Sequence, residues 1–240
     1  MRYFKFAIVG LFLAAAVLST GPVLAESLKV AMVLPGNISD KSWNQAGNDL
    51  KDFQAFRKDG DNKDVSNFLA TISRAQKPIV AAVGGVAVGV GTTMLLHCDL
   101  VYAGEGAKFN LPFVALGLCP EAASSLLLPL LVGQRRASEL LLLGEPLSAA
   151  KAYEIGLVNA VYPDGEFIAR AYAQAEKLAQ QPPASVRITK ALLKRPVLQS
   201  IAETMAEERN HFSERLNSGE CDEAFSAFFE RRKPDFSAFE

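Results

Sequence analysis

Two stretches of the chain hold residue types that chemistry needs. One is a lone glutamate in Leu118-Cys119-Pro120-Glu121-Ala122-Ala123-Ser124-Ser125, and the other is a glycine-punctuated run from Gly84 to Gly91. Leu118, Cys119, Pro120 and Ala122 would strip water from the Glu121 carboxylate and raise its pKa toward the range of a proton shuttle. A position just after proline also suits the first turn of a helix, where the macrodipole would lower that pKa instead. Local sequence leaves both open. Glycines 84, 85, 89 and 91 remove side chains that would keep a ligand oxygen away from main-chain N–H groups. A plain turn from strand to helix would use glycines in the same way.

Spacing excludes other chemistries. Gly84 to Gly89 has the outer glycines of a phosphate loop but valine where the loop needs lysine, and Gly89 to Met94 lacks the third glycine of a dinucleotide fingerprint. Cys98, Cys119 and Cys221 form no metal-ligand spacing and are expected as reduced, buried thiols. His97 and His211 have no partner pattern that would make a Ser/His/Asp triad, so packing and surface roles are expected. The net charge of −1, from 25 basic and 26 acidic side chains, offers no field for nucleic acid or an anionic membrane.

The elements that must position these residues alternate between strand and helix. Leu28–Leu34, Ile79–Val83, Asp99–Ala103 and Leu157–Val161 are apolar runs that predict strands, the second rich enough in β-branched residues to be buried on both faces. Charged residues with Phe53, Phe56, Phe68, Leu69 and Ile72 at intervals predict helical segments between 48 and 77, broken by a loop at Lys58–Lys63. Further helices are predicted over Arg135–Leu143, over Ser148–Ile155 with Ser148 as N-cap and Gly156 as stop, and over Glu166–Gln181. From Ala184 onward the pattern is helical, divided at Pro196, with Leu198, Ile201, Met205, Phe212 and Leu216 on one face. Together this predicts an α/β fold with a C-terminal helical subdomain.

Read without a gap from Lys77 to Glu166, the chain resembles the core of the enoyl-CoA hydratase/isomerase (crotonase) family. The resemblance extends back to Ala46-Gly47-Asn48-Asp49-Leu50 and forward to Phe229–Pro234, about four fifths of the sequence. It implies a crotonase-like, ββα spiral-type core over residues 47–183 and a helical, trimerisation-type region over 184–240. It also implies an acyl-CoA thioester substrate, no cofactor beyond the coenzyme A of that substrate, and a homotrimer or dimer of trimers. By the same resemblance the N–H groups of Asn48 and Val90 form an oxyanion hole for a thioester enolate. Ala46, Asp49, Leu50, Lys51, Gly89, Gly91 and Phe113 are expected to line the substrate site, with Val114, Leu116 and Leu126 as further candidates for an acyl pocket. Hydratases of the family use two glutamates, and the matching positions here are Thr93 and Phe113. Glu121 instead resembles the sole base of the branch that moves a double bond between the 3- and 2-positions of an enoyl-CoA. The expected function is therefore an enoyl-CoA isomerase. The alternatives are a hydratase, an inactive acyl-CoA-binding relic, and a solute-binding protein suggested by the N-terminus.

Upstream of Ala46 the resemblance stops. Arg2 and Lys5 precede an apolar run from Phe6 to Leu18 and then Val23-Leu24-Ala25, the order of a secretory signal peptide over residues 1–25. The run is shorter than the roughly 20 apolar residues that span a bilayer, so no stable membrane span is expected. Residues 26–46, with Asp40-Lys41-Ser42-Trp43, resemble the opening of basic-membrane-protein type periplasmic nucleoside-binding proteins. A fusion is expected, with the N-terminal part of the core truncated or replaced. The leader predicts export and acyl-CoA chemistry predicts the cytoplasm; the chemistry is given the greater weight.

Overall fold

A computed structural model describes residues 30–34 and 63–239. The putting together of the chain starts from one parallel sheet in the order β1-β2-β4-β7, formed by Val30–Leu34 (β1), Ile79–Val83 (β2), Leu100–Gly104 (β4) and Ala160–Tyr162 (β7). Every residue of β2 is buried, as its uninterrupted apolar run requires of a central parallel strand. Its side chains alternate between two cores. Ile79, Ala81 and Val83 join Val101 and Ala103 of β4 in the larger one, while Val80 and Ala82 meet Tyr102 on the opposite face. β1 pairs with β2 from Val30 opposite Ile79 to Leu34 opposite Val83, so the first predicted strand does enter this sheet.

Helix α1 (Lys63–Ser73) buries Leu69 and Ile72, as their spacing predicts. Phe53, Phe56 and the loop from 58 to 62 lie outside the described residues, as do the signal-like residues 1–25 and the segment 35–46. Strand β3 (Val86–Val88) leads into a single helical turn, α2 (Val90–Thr93), and a 3-10 turn (Met94–His97). β3 belongs to a small second sheet with β5 (Lys108–Asn110) and β6 (Leu147–Ser148). None of these strands is predicted, because two or three residues are too few to show a period.

Helices α3 (Ser124–Val132) and α4 (Gln134–Ser138) follow, and a π-turn over Glu139–Leu143 replaces the second half of the helix predicted from Arg135. Helix α5 (Ala149–Glu154) starts where predicted: the Ser148 hydroxyl accepts the Lys151 N–H at 3.3 Å. The strand predicted from Leu157 begins only at Ala160, because the Leu157 and Val158 N–H groups still donate to Ala152 O as α5 ends. Helix α6 (Phe167–Ala179) lays Phe167, Ala171 and Ala175 on the Tyr102 face of the sheet.

Helices α7 (Pro183–Lys194), α8 (Leu198–Leu216) and α9 (Gly219–Glu230) make the C-terminal region. Ile201, Phe212 and Leu216 of α8 are buried as predicted and Met205 packs against the core that holds Phe212 and Leu216, but Leu198 is exposed. No helix among the described residues is long and apolar enough to cross a membrane. Asp99 ties α7 to the foot of the sheet: one carboxylate oxygen accepts the Ile79 N–H and the Lys190 ammonium, both at 2.7 Å.

The turn into the Glu121 segment is pressed against α9. Gly117 has φ +68°, and a Cβ there would lie 2.6 Å from the backbone nitrogen of Cys221. Gly117→Ala is therefore expected to cost about 2 kcal/mol, combining a left-handed alanine with overpacking against main chain. Urea unfolding checks this, and a midpoint equal to wild type would refute the contact.

Candidate active site

The glycine loop is a rigid corner. Gly89 has φ 55° and ψ −119°, a region that only glycine occupies without strain. Its N–H donates to Asn110 O at 2.9 Å, and its carbonyl accepts the N–H groups of Thr92 and Thr93 at 2.9 and 3.0 Å. The Thr92 hydroxyl adds a 2.7 Å bond to Ala87 O. Val90 and Gly91 are buried directly behind. As the first residue of α2, Val90 has an N–H that the helix cannot satisfy, which an oxyanion donor requires. With α2 only one turn long, its macrodipole adds little to that N–H.

Glu121 lies outside the helix that follows it. Helix α3 begins at Ser124, whose N–H donates to Glu121 O at 3.0 Å, and two left-handed alanines intervene, Ala122 at φ 59° and Ala123 at φ 55°. The first-turn reading, with its lowered pKa, therefore does not apply. Burial, followed by the nearby Glu208 charge, pushes the Glu121 carboxyl up to about 7.

Distant groups hold this turn on both sides. His97, 1% exposed, meets Ala122 O through Nε2 at 2.7 Å. A carbonyl only accepts, so Nε2 carries the hydrogen, and burial pushes the ring's pKa down to about 4, which leaves it neutral near pH 7. On the other side Glu208 of α8 accepts the Ala123 N–H at 2.6 Å through one oxygen. Its second oxygen accepts the Ser125 N–H at 3.0 Å and the Ser125 hydroxyl at 2.6 Å.

Glu121 and Glu208 line a cavity of about 460 Å³ between α1 and α8, with Leu69 from α1, Arg74 just after it, and Met205 and Phe212 from α8. They are its only acids among the described residues. A cavity of mixed polar and apolar lining, with one carboxyl poised near neutrality, suits transfer of a proton to and from carbon.

Of the predicted site residues, Gly89, Val90 and Gly91 share the glycine corner, which is not part of the described lining of the Glu121 cavity. Phe113 is 4% exposed and packs in the main core, and it does not line that cavity either. Val114, Leu116 and Leu126 are likewise absent from its described lining. Ala46, Asn48, Asp49, Leu50 and Lys51 fall outside the described residues. Thr93, where a hydratase of the family would place a glutamate, is fully buried. His97 takes the packing role predicted for it and His211 is exposed. The described residues contain no cluster of His, Cys, Asp or Glu suited to a metal. Cys221 is buried, while burial also raises the Cys98 and Cys119 thiols to about 12 and 11, leaving them protonated.

Sequence reasoning missed Glu208. The signal was present, because 201, 205, 208 and 212 share one face of α8 and an acid within an apolar stripe is out of place unless it has partners.

A parallel sheet backed by helices, with a glycine corner and a half-buried acid, defines a class of α/β enzyme, and comparison with known proteins specifies it. The family model described as enoyl-CoA hydratase/isomerase matches residues 26–238, taking in the segment 26–46 where the sequence resemblance stops. The chain belongs to the enoyl-CoA hydratase/isomerase family, and its fold is crotonase-like. It is 35% identical to enoyl-CoA delta isomerase 2 of Rattus norvegicus over 195 residues, which are 78% of this chain and 49% of the relative. Against 2,3-dehydroadipyl-CoA hydratase of Escherichia coli it is 35% identical over 167 residues, 70% of this chain and 66% of the relative. An enoyl-CoA hydratase/isomerase from Pseudoalteromonas atlantica superposes with a TM-score of 0.71 at 47% identity, covering 72% of this chain and 70% of that one. The chain spans about half the length of the delta isomerases it matches.

Proposed function

We propose that the chain shifts the double bond of a 3-enoyl-CoA to the 2-position through an enolate of the thioester. The observation that carries this reading is Glu121, a half-buried carboxyl whose pKa is raised to about 7, with no acid at Thr93 or Phe113. The ionised Glu121 takes a proton from C2, and the electron pair moves onto the thioester oxygen. The N–H groups of Val90 and Asn48 hold that oxygen. Protonated Glu121 then returns the proton at C4 as the pair flows back and the double bond forms between C2 and C3. Proton and charge balance over the cycle, so the chemistry calls for neither a metal nor a redox cofactor. The family likeness also supports a trimer or dimer of trimers as the working assembly.

The names of the relatives raise hydration as the competing reaction. Adding water to a 2-enoyl thioester uses two glutamates in this family, and both matching positions are filled by other residues, Thr93 and Phe113. The deciding assay offers purified protein 3-enoyl-CoA and 2-enoyl-CoA separately. Isomerisation of the first without hydration of the second is expected; hydration alone would overturn the proposal.

The pH dependence follows from the same group. Glu121 must be ionised to take the first proton, so kcat/KM is expected to rise as pH passes through about 7 and to level off above it. A profile flat from about pH 5 to pH 9 would remove Glu121 as the base.

A further inference from the structure

Glu208 is 7% exposed and belongs to a helix 85 residues along the chain from Ala123, yet it accepts three hydrogen bonds from the turn that carries Glu121. We propose that Glu208 is a positioning residue for Glu121: its carboxylate, anchored on Ala123 and Ser125, fixes the turn and sets a second negative charge on the same cavity. The inference rests on the isomerase reading above.

Two features of the turn explain the need for such an anchor. Ala122 and Ala123 are both left-handed, a conformation that costs an alanine about 1 kcal/mol or more and persists only when surrounding bonds hold it. The anchors are His97 on the Ala122 carbonyl and Glu208 on the Ala123 N–H. Both oxygens of Glu208 accept from donors, which is the pattern of an ionised carboxylate and caps the start of α3. Burial raises the Glu208 pKa and these bonds pull it back.

Other groups face the same corner. Arg74, just after α1, and Arg209 from α8 line the cavity. Glu207 adds a negative charge beside Glu208. Cys119 and His97 are neutral near pH 7, and Arg215 lies close enough to Cys119 to oppose the raising of its pKa. In Glu121 the second cause of its raised pKa, after burial, is Glu208 itself. A group that must both take and return a proton works best when neither form dominates, and the Glu208 charge moves Glu121 toward that balance.

Glu208→Gln keeps the shape of the side chain and removes its charge. The ascending limb of the kcat/KM profile is expected to move about one unit to lower pH, and kcat to fall about tenfold with KM unchanged as the turn loosens. A carboxyl titration of Glu121 by carbon NMR in the substrate-free protein should show the same downward shift. Failure of the wild type to isomerise 3-enoyl-CoA would defeat the proposed function, whereas an unmoved Glu121 titration in folded Glu208→Gln would defeat this inference alone. Should that variant not fold, Ser125→Ala decides the matter, since its side chain is exposed and supplies just one of the three bonds. A kcat loss of at least about threefold at constant KM supports the positioning role, and wild-type kcat with a wild-type pH profile overturns it.

Discussion

Glu121→Gln is expected to lower kcat for a 3-enoyl-CoA by about a thousandfold while leaving acyl-CoA affinity within about twofold. The amide keeps the size of the side chain and can neither take nor return a proton, so the loss falls on chemistry and not on binding. Equilibrium binding of a saturated acyl-CoA and steady-state turnover separate the two effects. Turnover within about tenfold of wild type would mean that another group moves the proton.

The same substitution carries a stability signature with a definite sign. Glu121 is raised from an ordinary value of 4.5 to about 7 in the folded chain. Between those pH values the native state binds more protons than the unfolded state, so wild-type stability falls as pH rises from about 4.5 to 7, then stays at the lower level. Glu121→Gln has no such term. Its stability relative to wild type is therefore expected to grow across that interval and to level off above it, as thermal unfolding at pH 5 and pH 8 would show. A difference independent of pH would mean that the carboxyl is not buried as described.

The largest loss of stability is expected at Asp99. Asp99→Ala removes the acceptor of the Ile79 N–H and leaves the Lys190 ammonium, 5% exposed, with Lys77 O at 2.6 Å as its remaining hydrogen-bond partner among the described residues. Lys194 stands nearby, its Nζ donating to His97 O at 3.0 Å, and its pKa is lowered by burial and then by Lys190, an effect that Asp99 opposes. Removing the only carboxylate bonded to Lys190 among the described residues is expected to cost about 3–5 kcal/mol. Lys190→Met removes the buried charge itself and leaves the more exposed Asp99 bonded to Ile79, so its cost is expected to be much smaller. The double variant should be more stable than Asp99→Ala alone. Urea unfolding of the three proteins checks this; an Asp99→Ala midpoint close to wild type would show that the pair contributes nothing to holding α7 on the sheet.

Much of the site-bearing framework was legible because its signals are local. The apolar run at Ile79–Val83 announces a doubly buried strand, Ser148 caps α5 through an N–H three residues away, and Pro196 falls between α7 and α8. The glycine corner and the isolated Glu121 could be singled out for the same reason. Leu157 and Val158 look like the start of a strand because they are apolar residues in the turn after α5, and only their bonds to Ala152 distinguish them. Phe113, which family likeness assigns to the substrate site, is 4% exposed and belongs to the main core.

By itself the sequence determined that the chain is α/β, that a glycine corner follows a buried strand, and that a lone acid sits among apolar neighbours. Period and turn chemistry act over a few residues, so they survive in the order of amino acids. Whether that acid would be held down in pKa by a helix start or raised by burial was decided by tertiary structure alone. The deciding contacts, His97 to Ala122 and Glu208 to Ala123 and Ser125, join residues 25 to 85 positions apart, and no pattern of nearby residues encodes which distant carboxylate will close a given turn.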